Sequence, residues 1–271
     1  MKTGMSLRSI CNFAHLLMNN VTNKVAIITG AGQGIGFEIS RYLARAGARV
    51  LLNDIDPALT QQAAQTIGEE TNGICLPLAG DSSDFAFIQT MVDTAVAQFG
   101  RLDIVIANAG ITLFGDFFTY TPATFSRVMQ VNLSGTFFLA QAAANVMKHQ
   151  ITGGTLLFTS SVTGHQAHKD LAAYGMSKAA IEMLAKNLVI ELSPFKINVN
   201  TLAPGATLTE RTLEDAEYIA TWSRLTPMGR PANVSDIAHT ALFLVSDHAK
   251  HITGQTLIVD GGWTCISPNP V

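Results

Sequence analysis

Charge is scarce in this chain. Of its 271 residues, Asp, Glu, Lys and Arg make up 14%, against roughly 25% in an average soluble protein. With 48% hydrophobic residues, that excludes a disordered or solvating chain. It also points to surface buried between subunits. The formal net charge is −3, and the 17 Lys and Arg form no basic run. Phosphate contact needs clustered cations, so neither a nucleic acid nor an anionic membrane surface is an expected partner. Cysteine is equally sparse. Cys11, Cys75 and Cys265 are odd in number and form no Cys-x-x-Cys pair. That excludes a disulfide framework and a thiolate zinc site, and fits reduced thiols in the cytoplasm. A membrane span needs about 18 apolar residues in a row. The best uncharged stretch, Val128 to Met147, is interrupted by Gln130, Asn132, Ser134, Gln141 and Asn145. It reads as a buried amphipathic helix in a soluble protein.

Residues 1–20 stand apart. They hold Lys2 and Arg8, no acid, and a short apolar patch at Ala14–Met18. The patch is too short for a secretory signal. The segment reads as a disordered extension or an early start codon, with Met18 as the alternative start and a transit peptide as the other reading. Residues 21–271 read as one catalytic domain. Short β-branched runs mark strands at Val25–Thr29, Val50–Asn53, Ile74–Leu78, Ile104–Ala107, Thr155–Thr159, Ile197–Leu202 and Leu257–Val259. Helical patterns lie between them at Gly36–Ala46, Pro57–Glu70, Phe85–Phe99, Pro122–His149, Tyr174–Leu192 and Val234–Val245. Near-continuous apolar strands alternating with helices imply an α/β fold. The expected form is a single doubly wound Rossmann-type domain, its parallel sheet flanked by helices on both faces.

The first strand runs into Thr29-Gly30-Ala31-Gly32-Gln33-Gly34-Ile35-Gly36 and then a helical pattern. Glycines let backbone N–H groups approach a pyrophosphate, and the positive end of the next helix favours its charge. A P-loop would need Gly-Lys-Ser/Thr, and Phe37-Glu38 stands there instead. At this point a methyltransferase binding S-adenosylmethionine remains an alternative. Asp54, ending the second strand, can bind adenosine ribose hydroxyls and would repel the extra phosphate of NADP. Gln33 offers that phosphate no cation. NAD is therefore expected over NADP. The competing role for Asp54 is a helix cap, which Asp56, beside Pro57, fills better.

Tyr174 and Lys178 stand four residues apart, on one face of a helix. A phenol is a poor base at neutral pH. A nearby ammonium favours the phenolate, which can then take a proton from an alcohol or return one to an alkoxide. Ser160-Ser161 closes a strand on the carboxyl side, where ligands of open α/β sheets bind.

Together these motifs resemble the short-chain dehydrogenase/reductase family, in its single-domain NAD(P)-dependent branch. The resemblance spans roughly Asn23 to Trp263. It rests on the order Thr29–Gly36, Asn108-Ala109-Gly110, Asn132, Ser161, Tyr174…Lys178, Pro204-Gly205 and Gly254…Asp260-Gly261-Gly262. That order displaces the methyltransferase reading. The resemblance implies Tyr174 as general acid/base, and Lys178 as its phenolate-favouring partner and a ligand of the nicotinamide ribose. It implies Ser161, rather than Ser160, as the group stabilising the substrate oxygen. Asn132 resembles the helix-kinking Asn that anchors a water in a proton relay. For the cofactor it implies Gly30, Gln33, Gly34, Ile35, Gly36 and Asp54. Asp81 is implied at the adenine, and Asn108, Ala109 and Gly110 along the adenosine side. Pro204, Gly205, Thr207 and Thr209 are implied at the nicotinamide carboxamide. Ala107 replaces a usual Asn, and Thr207 a usual Ile or Val. The family is usually tetrameric, so a homotetramer is expected.

Other residues invite functional readings. His165 and His168 lie in a segment the family uses for its substrate pocket and read as pocket or rim groups. His248 and His251 lack further ligands nearby, and no metal site is expected. Phe114, Phe117, Phe118, Phe137 and Phe138 read as core or subunit contact. Ala206–Leu225, dense in charge, reads as a lid over substrate or as a solvated helix. The expected activity is NAD-dependent interconversion of a secondary alcohol and its carbonyl compound, with a sugar or polyol favoured. The alternatives are a 3-oxoacyl-thioester reductase, a hydroxysteroid dehydrogenase and a non-catalytic NAD-binding scaffold.

Overall fold

A computed structural model describes residues 21–266; the expected extension at residues 1–20 lies outside them. The elements in chain order are β1 (Val25–Ile28), α1 (Gly34–Arg45), β2 (Arg49–Leu52), α2 (Pro57–Thr71), β3 (Ile74–Pro77), α3 (Phe85–Phe99) and β4 (Ile104–Ala107). Then follow α4 (Pro122–Met129), α5 (Gly135–Met147), β5 (Gly154–Thr159), α6 (Ala172–Leu192), β6 (Ile197–Pro204), β7 (Thr207–Leu208), α7 (Tyr218–Leu225), β8 (Ala232–Asn233), α8 (Val234–Leu244) and β9 (Thr256–Val259). Seven strands form one parallel sheet in the order β3-β2-β1-β4-β5-β6-β9. The short β7 and β8 pair separately.

The inner strands β1, β2, β4, β5 and β6 are almost wholly buried, as their apolar sequences require, while the edge strands β3 and β9 are partly exposed. One face packs under α1 and α8 through Ile39, Leu43, Ile237 and Ala241. The other packs under α3, α5 and α6 through Ile88, Met91, Leu139 and Ile181. Helix starts are set locally. The Asp56 side chain accepts from Leu59 N with Pro57 at the first position, so Asp56 is the cap. Asp84 and Thr121 cap α3 and α4 in the same way. Strand order reverses between β1 and β4, which opens a crevice at the carboxyl ends of those strands.

The single helix expected at Pro122–His149 is corrected. It is interrupted by a π-turn at Gln130–Ser134. Asn132 sits inside that turn, 1% exposed. Its side chain donates to Ile111 O at 3.0 Å and to Ser177 Oγ at 3.0 Å, and accepts from Ile111 N at 2.8 Å. Those bonds hold the helix to its neighbours at the bulge, and π-bulges gather at functional sites. For the aromatics read as core or subunit contact, exposure removes the core reading at three positions. Phe114, Phe117 and Phe118 are not core: they are 65%, 77% and 92% exposed.

Candidate active site

The glycine turn is built by close packing. Gly30 has φ +59°, and a Cβ there would lie 2.8 Å from Ala109 Cα. A Cβ on Gly36 would lie 2.4 Å from Gly30 O and 2.6 Å from Asn108 Nδ2. Both positions therefore exclude a side chain. Asn108 staples the turn, its amide donating to Gly30 O at 2.9 Å and to Thr29 O at 3.1 Å. Thr29 Oγ1 accepts from the N–H groups of Asn108 and Ala109, both at 3.1 Å. Gly110 comes close to two functional side chains: a Cβ there would sit 3.3 Å from Lys178 Nζ and 3.4 Å from Asn132 Oδ1. At the start of α1, Gln33 is extended and makes no side-chain cap bond. The positive end of this helix thus opens into a cavity lined by Gln33, Gly34 and Ile35.

The same cavity, about 320 Å³, is lined by Ser161, Tyr174 and Lys178, by Asn108 and Gly110, and by Pro204, Gly205, Thr207 and Thr209. Lys178 is 3% exposed. Its Nζ donates to Thr159 O at 2.7 Å and stands 5.5 Å from the centre of the Tyr174 ring. Ser161 Oγ accepts from Thr163 N at 3.2 Å, capping a short 3-10 turn. Ser160 also lines the cavity, but its hydroxyl is turned to helix α6. It is buried, and its hydroxyl lies 3.1 Å from Lys178 O and 2.5 Å from Glu182 Oε1.

Other expected site residues stand behind the cavity wall. Gly30, Gly36 and Ala109 shape the turn, and Asn132 fixes the segment after Gly110. Asp54 Oδ2 accepts from Gly32 N at 3.0 Å, at the edge of the glycine turn. Asp81 lies further off, accepting from Ser83 N at 2.8 Å and pairing with Arg127 at 3.3 Å. Burial works against its charge, but the Ser83 hydroxyl and amide and the Arg127 guanidinium prevail. The Asp81 carboxyl is held below the ordinary carboxylate range.

Sequence reasoning missed Thr112, Thr212 and Tyr218, which also line the cavity. Thr212 Oγ1 accepts from Thr209 N at 2.7 Å and donates to Thr207 O at 3.0 Å. Tyr218 Oη accepts from Thr207 N at 3.1 Å. Burial raises the Tyr218 phenol above its ordinary value, against the Thr207 backbone and Arg211. The Thr207-x-Thr209-x-x-Thr212 spacing was the available signal. In the stretch read as lid or solvated helix, Thr207, Thr209, Glu210, Arg211, Thr212 and Tyr218 line the cavity, and α7 buries none of its residues. Among the described residues no His/Cys/Asp/Glu group could hold a metal ion, and no helix is long and apolar enough to cross a membrane.

A family model described as enoyl-(acyl carrier protein) reductase matches residues 30–264. The chain is a short-chain dehydrogenase/reductase. This short-chain dehydrogenase/reductase is 33% identical over 246 residues to L-rhamnose 1-dehydrogenase (NAD(P)(+)) of Azotobacter vinelandii, covering 89% of this chain and 96% of that one. It is 38% identical over 261 residues to versicolorin reductase of Emericella nidulans, covering 88% and 95%. Among solved structures it resembles a 7α-hydroxysteroid dehydrogenase complexed with NADH and 7-oxo glycochenodeoxycholic acid. The TM-score is 0.86 and the identity 33%, over 91% of this chain and 96% of that one. As a short-chain dehydrogenase/reductase it is an oxidoreductase of alcohol and carbonyl groups that uses a nicotinamide cofactor.

Proposed function

We propose that this protein interconverts a secondary alcohol and its carbonyl compound with NAD, using Tyr174 as general acid/base. One observation carries the reading: Ser161, Tyr174 and Lys178 line the same cavity as the uncapped start of α1. That helix start fits the diphosphate of a dinucleotide, because the backbone of Gly34 and Ile35 presents unpaired positive character to it. Asp54 would hold the adenosine ribose, Asn108 and Gly110 the adenosine side, and Asp81 the adenine. Lys178 would hold the nicotinamide ribose, and Thr207 and Thr209 the carboxamide. When bound, the nicotinamide supplies or accepts the hydride.

The protein's own groups manage the proton. The Lys178 ammonium stands beside the Tyr174 ring, where it would stabilise negative charge that develops on the phenol oxygen during proton transfer. In oxidation Tyr174 Oη takes the alcohol proton while the Ser161 hydroxyl holds the substrate oxygen. In reduction Tyr174 returns that proton. Asn132 keeps the segment after Gly110 against the start of α6 through Ile111 and Ser177.

NAD is favoured over NADP because the Asp54 carboxylate stands at the glycine turn and Gln33 is neutral. The same pair argues against an NADPH-dependent 3-oxoacyl reductase. Thr112, Thr212, Glu210 and Arg211 give the wall hydrogen-bonding groups, which suits a sugar or polyol, as does the rhamnose dehydrogenase relative. A larger apolar alcohol such as a steroid is the second reading. Leu113, Phe114, Phe117 and Phe118 follow Thr112 as exposed apolar groups. The test is NADH formation from NAD⁺, and NADPH formation from NADP⁺, over sugars, polyols, steroids and 3-hydroxyacyl thioesters. Turnover with NAD⁺ on a polyhydroxylated substrate is expected. Preference for NADP⁺ would remove the role given to Asp54, and NADH binding without turnover on any class would favour a scaffold.

The α5–α6 face exposes Phe137, Ile190 and Phe195. In a chain this poor in charge, we read it as contact with a second copy within a homotetramer. Sedimentation as a monomer would contradict this. Cys75 and Cys265 as free thiols suit a reducing cytoplasm.

A further inference from the structure

Glu182 is a carboxylate that the proposed chemistry leaves unused. It follows Tyr174 and Lys178 at the next helical turn of α6, on the same face. Its residue is 7% exposed. A carboxylate so placed is costly unless hydrogen-bonded. Glu182 Oε1 accepts the Ser160 hydroxyl at 2.5 Å and meets His165 Nε2 at 2.9 Å. Both partners come from the turn that carries Ser161.

The whole turn is fastened to this helix face. Lys178 Nζ holds Thr159 O at its start. Ser160 Oγ also reaches Lys178 O at 3.1 Å. Gly164 lies so close to α6 that a Cβ there would be 3.0 Å from Glu182 Oε1 and 3.1 Å from Ala179 N. His165 then closes the turn onto Glu182. Ser161 sits between these fastenings. Its own hydroxyl accepts only the local bond from Thr163 N, so its position relative to Tyr174 depends on the fastenings around it.

We propose that Glu182 and His165 are positioning residues: together they clamp the Ser161 turn against the helix that carries Tyr174 and Lys178, without touching substrate. The proposal rests on the roles given above to Ser161 and Tyr174. It goes beyond them by assigning two residues whose influence on rate passes through Ser161.

The experiment compares Glu182→Gln, His165→Leu and the double variant, each alone and in a Ser161→Ala background. Turnover is measured on the best substrate, with NADH affinity by fluorescence and a thermal melt. Each single substitution is expected to lower kcat by about tenfold or more, the scale on which a misplaced group costs rate. KM and NADH affinity stay within about twofold. The double variant falls no further than about twofold below the worse single one, because both act through one contact. In the Ser161→Ala background each costs at most about twofold more. Unchanged kcat in both single variants would overturn the clamp. So would an undiminished loss in the Ser161→Ala background, or a loss accounted for by fewer NADH-binding sites. If Glu182→Gln does not fold, His165→Leu decides alone, since that ring lies at the surface edge. Tyr174→Phe, run in parallel, separates the two claims. Retained turnover there overturns the site reading itself, whereas lost turnover there with intact Glu182→Gln and His165→Leu overturns only the clamp.

Discussion

The two halves of the cavity are built differently. The wall made by the β1–α1 turn and Asn108-Ala109-Gly110 is fixed by backbone. Its glycines admit no Cβ, and its polar side chains bond main-chain atoms. The wall made by residues 205–225 holds only one short strand pair, β7–β8, and is otherwise tied by side-chain hydroxyls to its own backbone. Three threonine hydroxyls and one tyrosine hold it together, and α7 contributes no buried residue. A constant ligand calls for the first kind of wall. A ligand that differs among relatives named for rhamnose, versicolorin and a hydroxysteroid suits the second.

Substitutions should separate the halves, and the largest effect falls where they meet. Lys178→Met is expected to lower kcat by about 10²-fold or more and also to weaken NADH binding, since the proposed function gives it a part toward both proton and cofactor. Steady-state kinetics with an NADH titration checks both. Within the rigid wall, Gly36→Val forces a Cβ against Gly30 O. It is expected to cost about 1–3 kcal/mol of stability and to abolish NADH binding, as read by chemical denaturation and fluorescence.

The soft wall predicts the opposite pattern. Trp222 on α7 packs edge-on against Trp263 at 5.2 Å and near Tyr218 at 6.1 Å. Trp222→Ala should raise the alcohol KM several-fold, leave NADH affinity unchanged, and shift stability by less than about 1 kcal/mol. The smallest effect concerns thiol chemistry away from both walls. Burial pushes the Cys75 thiol up to about 12. The thiolate is the reactive form, so at pH 8 Cys75 carries almost none. Peptide mapping after iodoacetamide should find the exposed Cys265 alkylated and Cys75 intact.

The same contrast decides what was legible in the sequence. All seven sheet strands were readable: the inner five because strands buried on both faces are near-continuous apolar runs, and the partly exposed edge strands β3 and β9 because they too are short β-branched runs between helical patterns. The glycine turn was readable because it needs residues without side chains at fixed spacing. Helical spacing put Tyr174 and Lys178 on one face, and the Ser161 strand end together with the family's motif order singled them out. The break at Asn132 was not visible in periodicity. Residues on either side keep a helical pattern, and the bulge depends on Ile111 and Ser177, far away in sequence. For Phe114, Phe117 and Phe118, aromatic content left core and subunit contact open, and their exposure removes only the core reading. Thr212 and Tyr218 were hidden because their roles depend on how residues 205–225 fold back on Thr207. Glu182 was hidden because its partners lie on a turn 17 to 22 residues earlier.

The central claim is that Tyr174 moves the proton in a cavity that also receives the dinucleotide. It is tested most directly by measuring turnover and NADH affinity of Tyr174→Phe beside the wild type. The account predicts a loss of about 10²-fold or more in kcat, with NADH affinity unchanged. Turnover above about a tenth of wild type, on the same scale of acid–base catalysis, would contradict it.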